Sequence, residues 1–279
     1  VESVAWVSEQ KDLLYSLFYL ASLITYLFYL KKNSKAKWFL LTIAFFILSF
    51  LSKSMAVTLP LILVLIDWFK SRLKNKQAIL EKIPFFLLSL GFGILAIITQ
   101  SQQGATEMVP EYSIIDRVFL ACYAILFYLY KLIIPLSLSV IHYYPLKEEV
   151  YLPVIYYLLP ILIIGIVYTI LRIRSDKKVL IFGSLFFLFT ISVVLQLFPA
   201  GESIVSERYT YIPYLGLFLI ASFYYNKFSE NKKPSLRKVR PVINLILIIY
   251  SCVLCIISYQ RIRVWENGIS LFSDVIRKN

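Results

Sequence analysis

Charge is scarce in this sequence. Asp, Glu, Lys and Arg make up 16% of 279 residues, against roughly a quarter in a soluble domain, and the mean hydropathy is +0.76. That scarcity excludes an ordinary soluble globular protein. Histidine occurs once and cysteine three times. One His without clustered Cys or carboxylates is not a ligand set, so no metal is expected. Cys122, Cys252 and Cys255 all fall inside apolar runs. "CVLC" places the last two on one helix face, where small packing residues are expected rather than a redox pair. No disulfide framework is implied. Alternation with a period of two is also missing, which argues against an outer-membrane barrel.

Long apolar runs are what the sequence has instead. They fall at about 12–30, 38–51, 55–69, 83–99, 118–134, 152–171, 180–198, 210–225 and 241–259. Several reach the length needed to cross about 30 Å of hydrocarbon as a helix. The expected fold class is therefore all-α, a polytopic membrane helix bundle. The net charge of +13 does not point to nucleic acid, because the basic residues lie in short loops rather than on one face. The chain opens with Val1 in a polar stretch and shows no signal peptide. The expectation is that it begins within a longer protein.

The basic connectors are "KKNSKAK", "KSRLKNK", "RIRSDKK" and "NKFSENKKPSLRKVR". Short loops rich in Lys and Arg stay in the cytoplasm, and this fixes the direction of each run. Counting from both ends leaves residues 100 and 151 on the same outer side. Run 118–134 then cannot be a simple crossing; it should be a re-entrant or interfacial helix, or a hairpin, ending at Pro135. The result is about eight crossings plus that one helix, with both chain ends outside. About two thirds of the 29 basic residues fall in the inner connectors and their flanks, and about three quarters of the 16 acids fall outside. Runs 38–51 and 55–69 are short. They are expected to turn tightly at Lys53, with Pro60 kinking the returning helix. A single bent helix over 38–69 is the alternative. Beyond residue 260, "WENGISLFSDVIRKN" is amphipathic and too polar to span. The expected domains are 1–260 in the membrane and 261–279 as the start of a soluble outer helical region.

Four outer stretches carry candidate groups. In "VESVAWVSEQKDLL", Glu2 and Trp6 are four apart and Glu9 and Asp12 three apart, so each pair would share a helix face. A carboxylate there could bind a substrate hydroxyl or a metal, or be a solvated helix-cap charge. Lys53 would either bind a lipid phosphate or snorkel towards headgroups. In "LSLSVIHYYP", His142 with Tyr143 and Tyr144 reads as aromatic belt or as a substrate contact. In "PAGESIVSERYTYIP", Arg208 is a planar charged fork suited to phosphate. Glu202 or Glu207 could position it or bind a sugar hydroxyl, and Tyr209 and Tyr211 could stack on a sugar. Ionisable residues at a membrane helix end tend to mark substrate paths. Together they suggest an outward cavity for a phosphorylated amphiphile such as a lipid-phosphate sugar.

"VESVAWVSEQKDLLYSLFYLASL", "LSKSMAVTLPLILVLIDW" and "SERYTYIPYLGLFL" occur in this order. They resemble the transmembrane and tetratricopeptide-repeat-containing protein O-mannosyltransferase family and its bacterial relatives. The closing "VWENGISLFSDVIRKN" resembles that family's lead-in to its repeat array, which implies a tetratricopeptide-type region there. The resemblance implies a GT-C-like glycosyltransferase. Such an enzyme moves a sugar from a polyprenyl- or dolichyl-phosphate donor to a protein Ser/Thr or glycan acceptor on the non-cytoplasmic side. It implies no cofactor beyond that donor, and a catalytic general base upstream of Val1. The His-Pro-x-His that precedes the Glu matching Glu2 is missing. Glu2, Lys53, Glu207 and Arg208 match the family's motifs and inherit substrate-binding roles at most. With base and repeats absent, this stretch alone is not expected to turn over. The implied partners are membrane lipid, the lipid-linked donor and a protein or glycan acceptor, and the implied location is a bacterial inner membrane, or the endoplasmic reticulum membrane in a eukaryote. Rival readings are a transporter or flippase of lipid-linked saccharides, a polysaccharide polymerase or ligase, and a plain membrane anchor.

Overall fold

The structure is a computed structural model that describes residues 1–31, 35–102, 112–145, 147, 151–195, 197, 203–231 and 233–278. The fold is all-α. In chain order the longer helices are α1 (Gln10–Lys31), α2 (Lys35–Ser52), α3 (Leu59–Phe69), α4 (Ile83–Gln102), α5 (Ile114–Ile133), α6 (Val154–Arg172), α7 (Lys177–Ile191), α8 (Tyr214–Glu230), α9 (Pro234–Ile262) and α10 (Gly268–Lys278). Among the described residues, six helical stretches are long and apolar enough to cross a membrane, and Ser54–Phe69 is a shorter apolar one. In α6 and across the apolar window of α9 no residue is buried. Helices apolar on every side yet uncovered by protein are stable only against lipid, and this marks the chain as a membrane protein.

Contacts fix the relative direction of the first three helices. α1 pairs with α2 through Tyr15–Ser49 and Ser22–Thr42, so the two are antiparallel. α1 pairs with α3 through Tyr19–Thr58 and Tyr26–Asp67, so these two are parallel. α2 and α3 therefore form a hairpin at Lys53, which excludes one bent helix over 38–69. Pro60 is not a kink. It sits in the first turn of α3, where its missing N–H has no helical partner to lose. α7 and α8 cross at Gly183 and Gly216, and a Cβ on Gly183 would lie 2.5 Å from the Gly216 carbonyl oxygen. Small residues let the two backbones meet that closely.

Helix α5 does not cross. The chain after it returns alongside, so that Tyr112 Oη donates to the Pro145 carbonyl at 2.6 Å and Lys147 pairs with Asp116 at 3.0 Å. It enters and leaves at the same end of the bundle, as the charge pattern requires. One end, here called the acidic end, gathers the N-terminal segment, Lys53, residues 135–145, residues 203–211 and the 261–278 segment. The other gathers the basic loops, where Lys178 meets Ser71 and Lys227 meets Asp176.

At the basic end lies an ion network with no counterpart in the sequence reading. Asp67 is fully buried. It accepts hydrogen bonds from Tyr26 Oη at 2.8 Å, Lys82 Nζ at 2.6 Å and Arg72 Nη1 at 3.1 Å. Arg72 also reaches Glu81 at 3.1 Å. Two cations meet two carboxylates, so the network is neutral. It ties α1, α3 and the start of α4 together.

Candidate functional site

At the acidic end the N-terminal segment packs beneath the 206–211 turn. A short helix, Glu2–Ala5, ends because Trp6 is extended, at φ −85° and ψ 111°. Glu2 and Trp6 therefore do not share one helix face, yet both reach Arg208. Glu2 Oε1 accepts from Arg208 Nη1 at 2.6 Å, and Glu2 Oε2 accepts from the Arg208 backbone N–H at 3.2 Å. The rings of Trp6 and Tyr209 each lie 5.2 Å from the guanidinium carbon. The Arg208 side chain is 17% exposed.

The charges alternate along a chain. Arg208 Nε lies 3.7 Å from Glu9 Oε1, Glu9 Oε2 lies 3.9 Å from Lys53 Nζ, and Lys53 is hydrogen-bonded to Asp12. Lys53 also sits over the Tyr209 ring at 5.3 Å. Glu2, Glu9 and Asp12 are all buried, so none is a solvated cap charge. Burial pushes the Glu2 carboxyl above its ordinary value, against the pull of Arg208. Burial likewise pulls the Lys53 ammonium below its ordinary value, opposed by Asp12. Arg208 is held charged. Burial works against the charge, but Tyr209, Glu2 and Glu9 outweigh it.

A cavity of about 150 Å³ opens beside this chain, and Glu2, Ser139, Glu207, Arg208 and Trp265 are among its walls. Glu207 Oε1 accepts from the Ser139 N–H at 3.3 Å and lies 3.0 Å from His142 Nε2. No described residue bonds its second oxygen. Ser139 Oγ and Trp265 Nε1 are buried and have no hydrogen-bond partner among the described residues. Trp265 packs against Trp6, with ring centroids 5.4 Å apart and the planes tilted by 33°.

The structure thus brings Glu2, Lys53, His142, Glu207, Arg208 and Tyr209 to one end of the bundle. Glu2, Glu207 and Arg208 line the cavity, and His142, Lys53 and Tyr209 stand behind it. Glu202 lies outside the described residues. The sequence reading did not assign Ser139, Arg261 or Trp265 to the site. Arg261 carried one usable signal, because a cation at the outer end of a crossing runs against the positive-inside bias. Ser139 and Trp265 carried none, since only the return of the chain brings them together. Among the described residues no group of three or more His, Cys, Asp or Glu could hold a metal ion.

A site of this kind can seat a polar, hydroxyl-bearing group. Its volume falls below the roughly 300–1,000 Å³ of small-molecule pockets, so it fits a headgroup and not a whole lipid. No family model, curated protein or solved structure matches this chain.

Proposed function

We propose that this chain is the membrane part of a GT-C-like glycosyltransferase. In this reading it moves a sugar from a polyprenyl- or dolichyl-phosphate donor to a protein Ser/Thr or glycan hydroxyl. The reaction takes place at the acidic end, on the non-cytoplasmic side of a bacterial inner membrane or of the endoplasmic reticulum. Residues 261–279 lead into a tetratricopeptide-type region. The proposal joins the motif resemblance to the chemistry of the cavity.

One observation carries it. Two buried polar atoms of the cavity-wall residues have no hydrogen-bond partner among the described residues: Ser139 Oγ and Trp265 Nε1. An unsatisfied buried polar atom costs about 1–3 kcal/mol, and a sugar ring presents both donors and acceptors that would satisfy it. Trp6 and Trp265 add aromatic faces, which suit the apolar side of a sugar. Glu207 is the side chain placed to take a hydroxyl, with His142 holding its other oxygen.

The test uses the full-length protein in membranes, with radiolabelled polyprenyl-phosphate mannose as the probe donor. Glu207→Gln keeps the shape and loses the charge. Trp265→Phe keeps the ring and loses the N–H. Transfer is expected to fall about 100-fold in the first, if Glu207 handles a proton, and about tenfold in the second, the worth of one hydrogen bond. Transfer at wild-type rate in both variants refutes the site. Arg208→Ala is a poorer probe, because it strands Glu2 and Glu9 as unpaired buried charges.

A further inference from the structure

We infer that the acidic end holds a second, separate site for a phosphate group, formed by Arg261, Arg277 and Lys278 beside the sugar-sized cavity. The assignment rests on the proposed transfer reading for its substrate class and on charge and geometry for its place. A cavity of about 290 Å³ lies between residues 135–138, the end of α9, and α10, with these three cations on its wall. It shares Leu138 and Arg261 with the smaller cavity. The two are neighbours across that wall.

Charge separates them. Beside the smaller cavity, four carboxylates (Glu2, Glu9, Asp12 and Glu207) face the cations Arg208, Lys53 and Lys11. Arg261 on its wall balances the fourth carboxylate, so no positive charge is left over, and Arg208 and Lys53 are already bound to carboxylates. A phosphate there would have to displace Glu2. At the second cavity, Arg261, Arg277 and Lys278 share the one carboxylate found there among the described residues, Asp274. Burial alone would raise the Asp274 carboxyl, but Arg261 and Lys278 hold it below its ordinary value. Even with Arg261 counted at the smaller cavity, one positive charge remains over. Arg277 is 80% exposed and 3.8 Å from Asp274, so its fork is open to a ligand. A phosphate has the charge and the oxygen geometry to meet such a fork.

The apolar part of the wall points to where the phosphate comes from. Pro135, Leu136, Ile257 and Val264 line the same cavity. Ile257 continues into the exposed apolar face of α9 at Val253 and Ile256. A prenyl chain lying along α9 would bring its phosphate to the three cations. The attached sugar would then reach over Leu138 into the smaller cavity. The group recognised is a phosphate ester, and the hydrocarbon beside it makes a lipid-borne one the better ligand than free phosphate.

The experiment measures binding of polyprenyl monophosphate, without sugar, to the full chain in phosphatidylcholine nanodiscs. Removing one cation near a lipid surface costs about fivefold in affinity. R277Q should therefore weaken binding about fivefold, and R277Q/K278Q about 25-fold. K74Q, an exposed lysine at the opposite end, should have no effect, and binding of the uncharged prenol should be the same in all variants. Competition by millimolar inorganic phosphate would show that the phosphate alone is recognised. No competition, with the variants still weakened, would show that the lipid-borne group is required. Wild-type affinity in R277Q/K278Q overturns the inference. If the variants weaken binding but wild-type protein never transfers sugar, the phosphate site stands and the transferase reading falls. If transfer at subsaturating donor is unchanged in R277Q/K278Q, the inference falls and the transferase reading stands.

Discussion

Removing Asp67 should unbalance the basic end more than any other single change. Its carboxylate is fully buried and receives Tyr26, Lys82 and Arg72. In Asp67→Ala the Lys82 ammonium, itself buried, keeps only Tyr26 Oη at 2.5 Å and the Ala78 carbonyl at 3.2 Å. Breaking a buried pair in this way costs about 3–5 kcal/mol. The lost Tyr26 hydrogen bond adds about 1 kcal/mol. Arg72 is cushioned, because Glu81 still holds it. The double variant Asp67→Leu/Lys82→Met removes both charges and fills the space, so it should recover most of that loss, since apolar replacement of a buried pair is often neutral. The cycle of single and double variants isolates the coupling, expected at about 2 kcal/mol or more. The measurement is reversible unfolding of the purified protein in mixed micelles, followed by fluorescence of Trp68, the neighbour of Asp67. An Asp67→Ala variant within about 1 kcal/mol of wild type would mean that this network contributes no more than a surface pair. A double variant no better than the single would mean that the pair is not what holds the helices.

Other expectations follow from the same contacts. Gly183→Val should push α7 from α8 and cost about 1–3 kcal/mol in unfolding, because a Cβ there already meets the Gly216 carbonyl; unchanged stability would show that this crossing is not tight. Glu2 gives a pH dependence. Its carboxyl is raised above the ordinary 4.5 by burial, so its contribution is full below pH 4.5 and fades as pH rises through the folded value. The stability of wild type relative to Glu2→Gln should therefore fall between acid and neutral pH, and a difference that rises over this range refutes the assignment. In a background without the native cysteines, Lys11→Cys and Lys74→Cys should label from opposite faces, the first from outside. Labelling of both from one face would overturn the parity.

Much of the fold was legible because a membrane simplifies the problem. An apolar run of sufficient length must be a helix, since lipid offers no partner to a bare backbone. Basic loops then give direction. Even the non-crossing α5 follows from those two rules, without any contact being known. Site residues were legible in kind. Glu2, Lys53, His142, Glu207 and Arg208 stood out as polar groups at the ends of apolar runs.

Partnership was not legible. Sequence spacing put Glu2 with Trp6 on one helix, whereas a break at Trp6 separates them and Arg208, some two hundred residues away, joins them again. The sequence offered Glu202 or Glu207 to position Arg208 and a lipid phosphate for Lys53, and the structure pairs them with the buried Glu2 and Asp12. Nothing in the sequence marked Asp67 and Lys82 as partners; only the packing of α1, α3 and the start of α4 brings them together. Sequence alone determined which segments are helical and apolar, because hydrophobic length acts locally. Tertiary structure decided which charge neutralises which, where the cavities lie, and hence where positive charge is left over, because those depend on distances between segments far apart along the chain.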